Sequence, residues 1–271
     1  MTKTVVGMIG AGRMGQPMIG HLVRKGFDLR VFDVDPARRA TAEDKGAKWA
    51  PSAADIARDA EVILVCVGFD SQVRELLGTG GPLAASRPET VVAILSTIHP
   101  RTMKQLAGEL APRKVHVVDS TVCRGGWAAD EGTLLSFVGG STEVVERLTP
   151  VLRAFSSDVV HTGAVGTAQV AKAVNNLIMW ACLVADHEGL ALAQRYGVDV
   201  DALRRALLTS SASNTALENW GRQTMAWAQD DMAIVLDMAD ECGISLPQAG
   251  VVREICRTLK PRRYKIEEYG T

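Results

Sequence analysis

A chain of 271 residues with a formal net charge of −1 is long enough for one large domain or two moderate ones with sizeable cores. Acidic and basic residues are spread evenly along it, which excludes a basic stripe for nucleic acid and a polybasic patch for a membrane surface. The five cysteines (Cys66, Cys123, Cys182, Cys242, Cys256) are scattered without a CxxC pair, and the first residues lead straight into a strand. The expectation is therefore reduced thiols, a cytoplasmic location and no metal centre.

Thr4 to Ile9 reads as a short apolar strand, followed by Gly10-Ala11-Gly12-Arg13-Met14-Gly15 and a helix over Gln16 to Arg24. Glycines at this spacing, with a strand before and a helix after, are the fingerprint of a dinucleotide-binding turn. They let the backbone approach a pyrophosphate seated on the helix N-terminus. The strand Asp28 to Phe32 ends at Asp33, placed to accept the adenosine ribose hydroxyls or, alternatively, to cap the turn before Pro36. Val34 follows in place of an arginine, so NAD is expected, while Arg38 and Arg39 keep NADP possible.

Strands and helices then alternate. Strands are expected over Glu61 to Val67, Thr90 to Leu95 (running into Ser96-Thr97), Val115 to Val118, Leu134 to Val138 and near Val159. Helices are expected over Asp70 to Leu77, Arg101 to Leu110 and Thr142 to Phe155. This order implies an α/β fold with a Rossmann-type, doubly wound, mainly parallel sheet over 1–162. Ligands in such sheets bind beyond the carboxyl ends of the strands. The fingerprint, Asp33, Val67, Thr97 and the loop at Cys123 all fall at such ends.

From Thr167 to Tyr196 the chain lacks proline and is rich in alanine and leucine, which favours one long helix. Its middle, Leu177 to Ala185, is apolar on every side, implying burial all round, and the apolar run is too short to span a bilayer. Lys172 and Asn176 stand one turn apart on it. The lysine either snorkels to water or lines a cleft, where desolvation would fit it for proton transfer. Four further helices, Ala202 to Leu208, Thr215 to Trp227, Asp231 to Cys242 and Pro247 to Leu259, complete an all-helical second domain over 163–271. A charged surface tail follows from Pro261. His187 is read as structural.

Four stretches, Ile9 to Met18, Asp119 to Leu134, Gly163 to Asn176 and Asp230-Asp231 with the helix after them, together resemble the β-hydroxyacid dehydrogenase family. The match covers almost the whole chain. The resemblance implies a dehydrogenase that moves a hydride between NAD(H) and a small hydroxy acid, or the reverse reductase acting on the matching carbonyl acid. It implies Lys172 as general acid/base, Asn176 on the substrate, the backbone of Cys123-Arg124-Gly125 on the substrate carboxylate, and Thr97 near the nicotinamide. Three departures stand out: Cys123-Arg124-Gly125 where relatives read Ser-Gly-Gly, Asp230 where relatives carry a cofactor-closing lysine, and a shortened segment before it. They leave two readings of Arg124 open: a substrate contact in a pocket walled by Trp127 and Trp227, or a side chain that points outward and solvates the loop. An imine reductase and a non-catalytic dinucleotide-binding protein are the alternatives; a homodimer or homotetramer is the expected assembly.

Overall fold

The computed structural model describes residues 3–223, 225–259 and 264–270. Contacts divide the chain into two compact units, 1–172 and 173–271. The division falls within the long helix, after Lys172, whereas the sequence suggested a boundary ahead of that helix.

The first unit is built on one eight-stranded sheet. Its strands are β1 (Val5–Ile9), β2 (Asp28–Phe32), β3 (Lys48–Trp49), β4 (Val62–Val65), β5 (Val91–Ile94), β6 (His116–Cys123), β7 (Leu134–Gly139) and β8 (Ser156–Gly163). They lie in the order β3-β2-β1-β4-β5-β6-β7-β8. The first six strands have the strand order expected of a Rossmann sheet. All neighbouring pairs are parallel except β6 with β7, where Cys123 faces Leu135. β7 thus starts beside the end of β6 and runs back to Gly139, opposite Asp119.

Period-two alternation explains the two layers of helices. In β4, Val62 and Leu64 point to one side with Met18, Ile19 and Leu22 of α1 (Gly15–Arg24). Ile63 and Val65 point to the other side with Ile56, Val73 and Leu106. Those three residues belong to α3 (Ala53–Asp59), α4 (Asp70–Leu77) and α5 (Pro100–Leu110). A strand covered on both faces reads as a continuous apolar run, which is why Val-Ile-Leu-Val was legible. Helices α2 (Arg38–Asp44) and α3, and the two-residue β3, were not anticipated. They are short and too polar for a periodic signal. Helix α6 (Gly125–Glu131) and α7 (Thr142–Leu152) complete this unit. The stretch expected to be a loop at Cys123 is thus a strand end joined directly to a helix.

The long helix α8 spans Thr167–Arg195. Beyond it the second unit holds α9 (Val200–Leu207), α10 (Thr215–Glu218), α11 (Ala228–Cys242) and α12 (Pro247–Leu259). The helix expected over Thr215 to Trp227 stops at Glu218, because Gly221 and Met225 both take positive φ. Trp180, Leu183 and Val184 of α8 pack with Met232, Val235, Val252 and Cys256. The expectation of all-round burial over Leu177 to Ala185 fails: Ile178 is 58% exposed and Ala185 is exposed. By length and composition α8 could reach across a bilayer; within this unit its buried face serves as core instead.

His187 is fully buried, and both ring nitrogens are used. Nδ1 donates to Leu183 O at 2.7 Å, and Nε2 accepts from the Tyr264 N–H at 3.2 Å. A carbonyl can only accept and an N–H only donate, which assigns the tautomer. Among the described residues of the tail, Ile266 is buried and the Tyr269 hydroxyl donates to Glu188. This part of the tail is docked rather than solvated.

Candidate active site at the carboxyl edge of the sheet

The fingerprint turn is shaped by contacts that exclude side chains. A Cβ on Gly10, whose φ is +98°, would lie 2.1 Å from Cys66 O, and one on Gly15 would lie 2.2 Å from Gly10 O. A Cβ on Gly12 would meet no atom within 4 Å. The turn is therefore packed on its inner side and open at Gly12, where a phosphate group can approach the first turn of α1. No acidic residue occupies that turn, which leaves the positive end of the helix for an anion. These residues fit a dinucleotide pyrophosphate.

Asp33 does two things at once. Its Oδ2 accepts from the Ala11 N–H at 2.6 Å, and its Oδ1 from the Asp35 N–H at 2.8 Å. The turn-capping reading is present, and the carboxylate also ties β2 to the fingerprint. Each oxygen keeps a further lone pair for a ribose hydroxyl. Arg38 pairs with Asp35 and Arg39 with Glu43. The Arg13 side chain pairs with Asp130 of α6 through both terminal nitrogens, at 2.8 and 2.5 Å. That pairing holds the Asp130 carboxyl below its usual range and raises the guanidinium further. Arg13 can therefore offer the cofactor its backbone, while Met14 packs against the sheet core. A basic cavity of about 420 Å³ runs along the outer side of α1 past Arg24, Arg38 and Lys45. Gly12 and Arg13 of the fingerprint line it, whereas Asp33 and Val67 do not, so it meets the fingerprint at Gly12 and leaves out the adenosine and nicotinamide positions expected from the sequence.

Further along the edge, the Val67 N–H donates to Ser96 Oγ at 2.9 Å. Ser96 O accepts from Gln169 Nε2, and Gln169 Oε1 accepts from the Ile98 N–H. Thr97 sits between these anchored positions and is half-buried. Gln169 is almost completely buried. It fixes the strand ends against the first turns of α8.

The strongest tie is Asp119, a fully buried carboxylate in β6. Its Oδ1 accepts from the Gly166 N–H at 2.8 Å and its Oδ2 from the Gln169 N–H at 2.9 Å. Burial pushes the Asp119 carboxyl up, and the backbone donors oppose it. Thr121 Oγ1 adds a bond to Ala168 O. Sequence reasoning missed Asp119 and Gln169, and placed Ser96 at a strand end without its anchoring role. The available signal was an acid inside an otherwise buried strand, which must find donors.

These ties deliver Lys172 to the end of β6. Its Nζ donates to Val122 O at 2.8 Å and lies 3.9 Å from Cys123 Sγ. Lys172 is half-buried, and Cys123 is buried. Gly125 opens α6, and Arg124 before it takes φ +85°. The Arg124 guanidinium turns to Thr133 O, Ser157 Oγ and Asp158 Oδ2, at 3.0, 2.8 and 2.7 Å. Arg124 therefore has protein partners where a substrate contact was one of the two readings. Trp127 packs against the sheet core. Asn176, Trp227 and Asp230 belong to the second unit. There Asn176 is buried and accepts from Asn175 Nδ2, and Asp230 is an exposed acid in the first turn of α11.

Comparison with known proteins agrees with this geometry. The family model described as the NAD binding domain of 6-phosphogluconate dehydrogenase matches residues 5–163. The one described as NAD-binding of NADP-dependent 3-hydroxyisobutyrate dehydrogenase matches 166–268. A 3-hydroxyisobutyrate dehydrogenase of Pseudomonas aeruginosa is 33% identical over 215 residues, 79% of this chain and 72% of that protein. A Dictyostelium discoideum protein named "Probable 3-hydroxyisobutyrate dehydrogenase, mitochondrial" is 35% identical over 78% of this chain, the match spanning 66% of its own length. Among solved structures, Mycobacterium tuberculosis 3-hydroxyisobutyrate dehydrogenase superposes with a TM-score of 0.87 at 24% identity, covering 97% of this chain and 95% of that one; this supports the fold. With the fingerprint turn, the Rossmann strand order and both family models in agreement, the chain belongs to the β-hydroxyacid dehydrogenase family of NAD(P)-dependent oxidoreductases.

Proposed function

We propose that the chain interconverts a small hydroxy acid and its carbonyl acid with NAD, with Lys172 as the general acid/base. The observation that carries this reading is the position of Lys172 Nζ, 2.8 Å from Val122 O at the carboxyl end of β6 and beside Cys123. As a neutral amine, Lys172 can spend its N–H groups on Val122 O and Cys123 Sγ and keep its lone pair for the proton of a substrate hydroxyl. In the oxidative direction Lys172 takes the hydroxyl proton as the carbon loses its hydride; bound NAD supplies the hydride acceptor. Backbone N–H groups at Arg124 and Gly125 are the proposed hold on the substrate carboxylate. Asn176, one helical turn after Lys172, is the proposed partner of the reacting oxygen. Asp33 favours NAD over NADP, because a carboxylate accepts ribose hydroxyls and repels a 2′-phosphate. Exposed Ile178 and Leu192 support the expected homodimer or homotetramer, which sedimentation would test.

The experiment is a panel of hydroxy acids and aldehyde acids with NAD and with NADP, followed by nicotinamide absorbance. Hydroxy-acid-dependent reduction of NAD is the expected result. Cofactor binding without turnover on any member of the panel would favour a dinucleotide-binding protein instead.

A further inference from the structure

The helical unit contains a cavity that the proposed chemistry does not use. It has a volume of about 440 Å³ and lies between α8 and the stretch joining α9 to α10. That volume is within the range of small-molecule sites. Leu190, Leu207 and Leu217 wall it, and Asp186 contributes a carboxylate. No Lys, Arg or His lines it among the described residues.

Asp186 is incompletely satisfied. Its Oδ1 accepts from Asn214 Nδ2 at 3.0 Å, whereas its Oδ2 is buried with no donor among the described residues. Burial pushes the Asp186 carboxyl up, opposed by the single Asn214 bond. One turn earlier, Cys182 is pushed up by burial and by the charge of Asp186. A buried carboxylate oxygen without a donor is costly and calls for a partner.

We propose that this cavity binds a small organic cation, a primary ammonium carried on a compact apolar body. An ammonium has three donors. One would meet Asp186 Oδ2, and the hydroxyls of Ser211 and Ser213 on the cavity lining can accept the others. The apolar body would cover the leucine walls. As part of the proposal, a small turn about χ2, a broad torsion in Asp, would bring Oδ2 to the cavity with Asn214 still bound to Oδ1.

The test is isothermal titration of the full chain, with NAD present, using n-butylammonium and cyclohexylammonium chloride against n-butanol and cyclohexanol. Saturable one-to-one binding of an ammonium is expected, about tenfold or more tighter than its alcohol, with a similar loss in Asp186→Asn. Gly189→Phe supplies an independent check, because a Cβ there meets nothing within 4 Å and the ring would fill the cavity without altering Asp186. Thermal melts identify variants that remain folded. Equal binding of alcohol and ammonium, or unchanged binding in Asp186→Asn, would overturn the charge reading. Unchanged binding in Gly189→Phe would place the ammonium elsewhere. Absence of saturable binding in the wild type would overturn the site itself, including the case in which sedimentation shows that self-association covers it.

Discussion

Asp119→Asn probes the device that sets Lys172 in place. The carboxylate holds the Gly166 and Gln169 N–H groups at 2.8 and 2.9 Å from within a fully buried strand. An amide keeps one acceptor oxygen and turns an NH₂ toward the other N–H. Losing a hydrogen bond to a charged group and leaving a buried donor unpaired costs about 2–4 kcal/mol. Loss of the negative charge at the start of α8 adds about 0.3–1 kcal/mol. Relief of the desolvation that pushes Asp119 up offsets part of this, giving a net loss of about 2–3 kcal/mol. For a chain of this size that lowers Tm by roughly 5–10 °C. Differential scanning calorimetry measures it, and hydrogen exchange at the amides of Gly166 and Gln169 locates it. A loss below about 1 kcal/mol, with those amides still protected, would refute the reasoning.

Asp33→Asn should weaken NAD and narrow its advantage over NADP; because Asp33 also holds the Ala11 N–H, affinity for NADP should not rise freely. Comparison of kcat/KM for both cofactors checks this, and a wild-type preference for NADP would contradict it. Gly15→Ala should abolish cofactor binding, since the new methyl would meet Gly10 O at 2.2 Å; fluorescence titration with NADH reads the loss. Burial holds the His187 pKa below its ordinary value, with the Leu183 bond opposing. The folded state therefore binds fewer protons than the unfolded one. The resulting stability is fully present above the unfolded value of about 6.5 and is lost as pH falls from there through the folded pKa. Tm measured from pH 7.5 to 5 should decline more steeply in wild type than in His187→Gln.

Much of the first unit was legible because its signals were local. The glycine spacing after β1 and the apolar run of β4 each carry their own physical reason, and both survive in the structure. Elements that depend on distant partners were not legible. Asp119 looked like one more residue of a motif, and only the fold shows that its donors lie at Gly166 and Gln169. Arg124 read as a cation free to meet a substrate, because Asp158 approaches it only when β8 is laid beside β7. The break after Glu218 was hidden for the opposite reason: the apolar pattern continues through Trp220 and Met225, although Gly221 turns the backbone.

The central claim is that Lys172 moves the proton. Turnover of Lys172→Ala, measured beside its NADH dissociation constant, tests this most directly. The account predicts turnover reduced by about 10²-fold or more and a dissociation constant for NADH close to wild type. Near-native turnover would contradict it.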